Sequence, residues 1–376
     1  MESGKISVIR PFYEQIPEGE PVWDADGLLL LPSFRDAHVH LDKAFPDNQW
    51  ISRSRTASIF DQFRMEKELL SSIKSRQLEL SKRTLDSMLA CGTTEARIHV
   101  DIDPEIGLSH FENMLLLREE YSSHMSIELV AFPQQGLLRS NSVPYLREAL
   151  IMGADAVGGV DPAGVDRNVE RCLDNVFQLA VEFDAEIDLH LHDPGHLGVY
   201  TIEKMLDFTE MAGWRGKVAV SHAYCLGEVD AGVVHELAER MAEEQMTVIT
   251  SVPIDSAMPP IEILISHGVS VDIGTDHTGL DAWTPYGDPD LLRRGRRLAE
   301  KLTWNDDSRM AFAFGLISPK RLELQVGAPA DFVLVKALNP QHALAISPPR
   351  DLVCKRGVPV SGSQLKNSWV CEKEEQ

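Results

Sequence analysis

Cysteine is scarce in this sequence and follows no pairing pattern. The 376 residues contain five cysteines, and the spacing Cys-x-x-Cys does not occur. This absence argues against thiolate zinc sites and thioredoxin-like redox sites. An odd number of scattered cysteines also does not match the disulfide frameworks of small secreted proteins. We therefore expect a reduced, cytoplasmic protein, whose cysteines are Cys91, Cys172, Cys225, Cys354 and Cys371.

Excess positive charge and long apolar runs are also missing. The sequence has 36 lysines and arginines against 58 aspartates and glutamates, a formal net charge of −22. Nucleic acid and anionic membrane surfaces attract basic proteins, so neither is expected as a partner. The sequence contains no stretch of 18 apolar residues, the pattern that predicts a transmembrane helix. It also contains no apolar segment after a basic start, the pattern that predicts a secretory signal. With 43% hydrophobic and 25% charged residues, the composition is that of an ordinary globular protein.

Short β-rich apolar runs alternate regularly with amphipathic helical stretches. The predicted strands cover residues 27–32, 95–100, 127–132, 155–160, 186–192, 218–223, 247–252 and 269–276. Strands that alternate with helices are typical of a parallel sheet, and eight of them can close into a (β/α)8 TIM barrel. An open doubly wound sheet is the competing α/β fold, but it would carry a glycine-rich phosphate loop after its first strand. Histidines stand there instead, which favours the barrel.

The two ends of the chain depart from this alternation. Residues 326–335 and 351–360 are hairpin-like β segments, and no proline- or glycine-rich linker separates them from the rest. We predict that residues 1–33 and 320–376 together form a small β unit. It would pack against a barrel made of residues 34–319.

Residues that can bind a metal cluster at the ends of the predicted strands. His38 and His40 follow the first strand two residues apart, so their side chains point to the same face. Further histidines and carboxylates end four other strands: His99, Asp101, His190, His192, Asp193, His222, Asp276 and His277. Since catalytic groups of such barrels lie at the carboxyl ends of the strands, we expect a catalytic metal site there. Strand periodicity places His190 and His192 on one face, so either could be the ligand.

Several segments resemble a known superfamily. The segment GLLLLPSFRDAHVHLD (residues 27–42) resembles the opening signature of the amidohydrolase superfamily. The segments VAFPQQG (130–136) and VSHA (220–223) resemble its cytosine deaminase-like branch. Within that branch, GGVDPA (158–163), IDLHLHD (187–193) and LGVY (197–200) are most similar to the N-isopropylammelide isopropylaminohydrolases, which degrade triazines.

The resemblance implies a barrel, a small β-sandwich built from both chain ends, and one divalent metal ion, zinc in preference to iron. The implied ligands are His38, His40, His190 and Asp276. Members with two ions use a bridging lysine or similar group at the end of the fourth strand. That strand ends here in Gly-Gly-Val at residues 158–160, which predicts a single ion. The ion would lower the pKa of bound water toward about 7 and supply hydroxide at neutral pH.

Roles for the residues around the ion follow from the resemblance and from side-chain chemistry. The expected catalytic residues are Asp276, which would also accept the proton of the attacking water, His222, His192 and Asp193. Many deaminases of the superfamily carry a glutamate proton shuttle where this chain has Asp193, and His192 beside it is the alternative acid for the leaving amine. The expected substrate-binding residues are Gln134, Lys43, His277 and Trp283. Lys43 could instead form a surface salt bridge with Asp42.

These features predict a metal-dependent amidohydrolase that hydrolyses an exocyclic C–N bond of a nitrogen heterocycle and releases an amine or ammonia. The expected substrate is a small triazine such as N-isopropylammelide, or a pyrimidine, and the enzyme is expected to be a homo-oligomer. A cytosine- or isocytosine-type nucleobase deaminase is the alternative within the same class. A catalytically silent barrel that serves as a binding or scaffold protein is the alternative from another class. Lost ligands would be its signature, whereas the expected ligands are all present.

Overall fold

The computed structural model describes residues 3–10, 24–44, 50, 52, 56–318 and 323–363. The first strand is β1 (Leu29–Pro32), and eight parallel strands follow it in one sheet in chain order. They are β2 (Phe34–Val39), β3 (Thr93–Asp101), β4 (Ser126–Phe132), β5 (Ala156–Val160), β6 (Glu186–Leu191), β7 (Val218–His222), β8 (Thr247–Thr250) and β9 (Ser270–Ile273). The predicted α/β barrel is thereby confirmed.

Helices lie between successive strands along the chain. They are α1 (Ile59–Ile73), α2 (Gln77–Ala90), α3 (Ser109–Glu120), α4 (Val143–Ile151), α5 (Val169–Phe183), α6 (Gly195–Ala212), α7 (Ala231–Glu243), α8 (Ile261–Ser266), α9 (Leu291–Lys301), α10 (Asp307–Ile317) and α11 (Pro340–Ile346). In α5 the side chain of Asn168 accepts a hydrogen bond from the backbone N–H of Arg171 and caps the first turn. None of the helices in the described ranges has the length and apolar composition needed to span a bilayer.

The last and first barrel strands meet through the backbone of the predicted metal ligands. Asp276 donates its N–H to the carbonyl of His38 at 2.8 Å, and His40 donates its N–H to the carbonyl of Asp276 at 3.1 Å. The approach is close enough to require a glycine, because a Cβ on Gly274 would lie 2.5 Å from the Cβ of His38. Barrel closure therefore brings residues more than 200 positions apart in sequence into direct contact.

The chain ends form a second sheet. In it β1 pairs antiparallel with β10 (Phe332–Val335), and β11 (Arg350–Lys355) and β12 (Val358–Ser361) follow in order. The chain ends thus form an antiparallel sheet as expected, and the described residues contain a single layer of the implied sandwich. The division into residues 1–33 plus 320–376 and residues 34–319 stays a prediction, and parts of it (11–23, 319–322 and 364–376) lie outside the described residues.

One predicted strand was assigned to the wrong sheet. The apolar run 27–32 was counted among the eight barrel strands, although the predicted division at residue 33 groups it with the chain ends. In the structure β1 pairs with β10 in the second sheet. The first barrel strand is β2, which places Arg35, Asp36 and His38 in buried positions. A search for apolar runs misses β2 because the strand is rich in polar residues. These residues are buried because each has a partner inside the barrel.

The amino-terminal end of the barrel is charged rather than apolar. Arg35 on β2 lies 3.2 Å from Glu128 and 3.1 Å from Asp272, and Arg97 on β3 lies 2.8 Å from Glu128. Apolar layers of branched side chains usually fill this part of such barrels. Here the charged side chains are paired with one another. Arg97 also contacts Asp188, which lies beneath the predicted metal site, and so extends the network.

Replacement of Gly274 by alanine is expected to destabilise the protein by about 1–3 kcal/mol, because the added Cβ forces β9 away from β2. The free energy of unfolding in urea measures this loss. Gly232→Ala in α7 is the matched control, since a Cβ there meets no atom within 4 Å and alanine favours the helix. Equal stability of the Gly274 variant and the wild type would contradict the close approach.

Candidate active site

Four side chains converge at the carboxyl-terminal rim of the barrel. The Nε2 atoms of His40 and His190 are 3.2 Å apart. Asp276 Oδ1 lies 3.7 Å from His38 Nε2 and 3.8 Å from His40 Nε2. Two ligand atoms that each lie about 2.0–2.2 Å from one ion at a tetrahedral angle are about 3.3–3.6 Å apart. The three observed separations lie within about 0.2 Å of this range, so the arrangement is compatible with a divalent metal ion.

The protonation of these groups also suits a cation. His38 Nε2 is buried and has no hydrogen-bond partner among the described residues. Burial together with neighbouring imidazoles lowers the pKa of His38 and of His190 well below the ordinary value, so both rings are neutral and carry free lone pairs. Burial alone would raise the pKa of Asp276, but His277 and His222 hold it well below its usual range. The set is three neutral imidazoles and one carboxylate.

A buried hydrogen-bond relay determines which nitrogen of His38 is free. Ser221 Oγ donates to Asp188 Oδ1 at 2.7 Å, so its hydroxyl oxygen is left to accept from His38 Nδ1 at 2.8 Å. His38 then carries its proton on Nδ1 and directs the lone pair of Nε2 toward the site. Groups that orient ligands in this way raise their basicity and fix the ring position.

Backbone strain positions two of the site residues. His222 (φ 72°) and Asp276 (φ 63°) both adopt the left-handed region, which is costly for residues other than glycine. Each follows or ends a barrel strand, and the turn directs its side chain over the barrel mouth. His222 Nε2 is buried without a partner in the described chain and belongs with His38 and His190 to one group of facing ligand atoms.

The end of β5 offers no second metal bridge. Gly158 and Gly159 occupy it, and a Cβ on Gly158 would lie 2.9 Å from the carbonyl oxygen of Ala131. Another grouping of possible ligands combines His40, Asp42 and Asp101. The ammonium of Lys43 lies 3.0 Å from Asp101 Oδ1 and opposes a cation there.

Lys43 is buried inside the site and forms no surface salt bridge. It is 1% exposed, and its Nζ lies 3.0 Å from Glu66 and from Asp101. Burial opposes its charge, but Asp101 and Glu66 raise the pKa of Lys43 above its ordinary value. Lys43 also donates to Gln134 Oε1 at 2.9 Å, which leaves the amide N–H groups of Gln134 free to donate.

A cavity of about 410 Å³ lies above the four converging side chains. This volume is within the range typical of small-molecule sites. The predicted substrate residues Gln134, Lys43, His277 and Trp283 all line it, and so do His192 and His222. Trp283 is fixed by a hydrogen bond from its indole N–H to Glu66 at 2.7 Å.

The two candidate proton carriers after β6 are held differently. His192 Nδ1 lies 2.9 Å from Asp161 Oδ2, so the ring is oriented with Nε2 free, and it lines the cavity. Burial alone would lower the pKa of His192, but Asp161 raises it. The carboxylate of Asp193 accepts hydrogen bonds from the backbone N–H groups of Ala163 and Gly164 and does not line the cavity.

His277 is clamped between two carboxylates. Its Nδ1 lies 2.5 Å from Asp281 Oδ2, and its Nε2 lies 3.3 Å from Asp276 Oδ2. Burial alone would lower the pKa of His277, but these two carboxylates raise it to about 10. His277 is therefore a cation at neutral pH that faces the cavity.

A model of the amidohydrolase family matches residues 96–362. The uncharacterized protein YahJ of Escherichia coli K12 is 35% identical over 375 residues, which cover 96% of this chain and 81% of that protein. The chain belongs to the amidohydrolase family. This confirms the superfamily resemblance.

Solved structures extend the likeness of this amidohydrolase. N-isopropylammelide isopropylaminohydrolase from Burkholderia multivorans superposes with a TM-score of 0.89 at 33% identity, over 96% of this chain and 93% of that one. The structure of 5-methylcytosine deaminase from Klebsiella pneumoniae has a TM-score of 0.83 at 21% identity, over 96% and 94% of the two chains, and shows a shared fold. The likeness to the Burkholderia aminohydrolase, at 33% identity, supports a hydrolase.

Several residues of the amidohydrolase site were not found from the sequence. Glu66, Asp161 and Asp281 each bind a predicted site residue from another element or turn. Asp188 reaches His38 through Ser221, which was also not predicted. Asp161 and Asp188 lie within the segments that carried the resemblance, which was a usable signal. Glu66 lies on α1 in a helical pattern that carried none.

Replacement of Ser221 by alanine is expected to weaken metal binding about 10- to 100-fold, because His38 loses the partner that fixes its tautomer. Competition of the protein with a chelator for zinc measures the affinity without reference to turnover. Ser266→Ala is the matched control, since its exposed hydroxyl bonds only to the backbone of α8. Unchanged zinc affinity in the Ser221 variant would refute the relay.

Proposed function

We propose that the protein is a mononuclear metal-dependent aminohydrolase. It hydrolyses an exocyclic C–N bond of a nitrogen heterocycle and releases an amine or ammonia. The observation that carries this proposal is the convergence of His38, His40, His190 and Asp276 beneath a cavity lined by Gln134. Three imidazoles and a carboxylate are typical of catalytic rather than structural metal sites.

An ion held by His38, His40, His190 and Asp276 would supply Lewis acidity that makes water nucleophilic near neutral pH. Asp276 directs Oδ1 toward His38 and His40, while Oδ2 lies 3.3 Å from His277 Nε2. In the proposal the carboxylate takes the proton of the attacking water. His222, neutral because burial and His192 lower its pKa to about 3, hydrogen-bonds through Nε2 to the oxygen added to the ring carbon.

His192 is proposed to protonate the leaving amine. Its Nδ1 is bound to Asp161, and its Nε2 is free at the cavity wall. The raised pKa of His192 keeps a proton available on the ring near neutral pH. The backbone hydrogen bonds of Asp193 support a role in holding the turn at Gly164 instead of the shuttle role considered from the sequence.

Gln134 and Trp283 are proposed to bind the ring. The Gln134 side chain directs N–H groups at the substrate because its oxygen accepts from Lys43. These donors suit a carbonyl oxygen or ring nitrogen of a triazine or pyrimidine. The proposed substrate is an aminotriazine such as N-isopropylammelide, supported by the 33% identity to the Burkholderia enzyme.

Replacement of His38 by alanine is expected to abolish metal binding and turnover together. Metal analysis should show near-unit zinc or iron in the wild type and little in the variant, and an amine-release screen over aminotriazines, pyrimidines and purines should show loss of activity. His235→Ala is the control, because His235 is exposed and pairs only with His267. Full activity of the His38 variant would contradict the mechanism, and a metal-free, folded, inactive wild type would favour the scaffold alternative.

Replacement of His192 by glutamine is expected to lower kcat about 10²- to 10⁴-fold while the metal content stays at the wild-type level, since proton transfer is lost but no ligand is removed. Steady-state kinetics and metal analysis on the same sample measure both effects. Asp193→Asn keeps an oxygen acceptor for the Gly164 amide and is expected to have a much smaller effect. The reverse order of the two effects would assign the shuttle to Asp193.

A further inference from the structure

Two arginines on α9 face the cavity without a carboxylate partner. Arg294 and Arg297 are three residues apart and so lie on the same side of the helix, and both line the cavity that contains the metal ligands. Among the residues that the structure describes, no carboxylate oxygen lies within 4.0 Å of either guanidinium. Arg294 is 6% exposed, and its one hydrogen bond is donated to the backbone carbonyl of Ser251 at 2.9 Å.

The other two arginines of the same helix provide an internal comparison. Arg293 lies 3.0 Å from Asp288, and Arg296 lies 2.8 Å from Glu300. Both are exposed to solvent, where a counter-ion is least needed. Within the described residues, the helix therefore pairs its exposed arginines and leaves the cavity-facing ones without an ion pair. Arg294 is buried and Arg297 is partly buried, and burial makes an unpaired charge expensive.

The charges around Arg294 and Arg297 are typical of an anion-binding site. Burial and the neighbouring charge of Arg297 lower the pKa of Arg294 to about 10. The carboxylates of Asp276, Asp36 and Asp288 act on the pKa of Arg294 in the opposite direction, each more weakly than Arg297 does. Two like charges at a cavity wall gain from a bound anion, and guanidinium groups bind carboxylates in a planar fork.

We propose that Arg294 and Arg297 form a subsite for a carboxylate substituent on the heterocyclic substrate. The inference rests on the proposed function, because the subsite opens into the same cavity as the metal ligands. It narrows the proposed substrate class to rings that carry an anionic substituent in addition to the exocyclic amine, a substituent that N-isopropylammelide lacks. Gln134 and the metal ligands would hold the ring, and the two arginines would hold its charged end.

The test compares matched ring compounds in binding and in turnover. Uracil-6-carboxylate and uracil-6-carboxamide differ in charge but little in shape, and calorimetric titration gives their Kd values without any reaction. The carboxylate is expected to bind at least about ten-fold tighter to the wild type. Arg297→Gln should abolish that preference, and Arg297→Lys, which keeps the charge but loses the fork, should retain part of it. Arg296→Gln is the matched control on the exposed side of α9 and should retain all of it.

Equal binding of the two probes, binding of neither, or a preference that persists in Arg297→Gln would overturn the subsite. Thermal melting of each variant checks that the fold is intact. Turnover separates this inference from the proposed function. An arginine-dependent carboxylate preference without amine release from any aminotriazine or aminopyrimidine would refute the function and keep the subsite. Amine release from neutral rings without such a preference would support the function and refute the subsite.

Discussion

The backbone contact between β9 and β2 is the constraint on which the rest of the site depends. Asp276 exchanges hydrogen bonds with His38 and His40 across it, so the act of closing the barrel also assembles three of the four proposed ligands. Gly274 permits the approach because it has no Cβ. Stability and metal geometry therefore share one structural requirement, and neither can be altered at this seam without altering the other.

Beneath the ligands, charged side chains take the place of apolar packing in the barrel interior. Arg97 contacts Asp188, Asp188 accepts from Ser221, and Ser221 holds His38. A buried ionic network of this kind contributes little to stability by itself, since desolvation offsets much of its attraction. Its consequence is orientation, because it holds Nδ1 of His38 on Ser221 and leaves Nε2 directed at the site.

The fold was largely predictable from the sequence, because eight alternations of strand and helix have few other solutions. The error at the first barrel strand came from the same reasoning. The apolar run that forms β1 is a genuine strand, but it pairs with β10, and the polar β2 lies next to it. Pairing partners more than 300 residues away leave no local trace in a sequence. The position of Lys43 is a similar case, since its burial depends on Glu66 and Asp101 from two other elements.

The sequence by itself determined the kind of chemistry, because histidines and carboxylates at successive strand ends must meet on one rim of a barrel. It also determined the family, through segments that keep their order and spacing. Only the tertiary structure decided which atoms are free. It assigned the oxygen of Gln134 to Lys43 and the carboxylate of Asp193 to a backbone turn. It placed Arg297 at a cavity wall where no described residue supplies a counter-ion. Hydrogen-bond partners and burial depend on distances between distant segments, and those distances exist only after the barrel has closed.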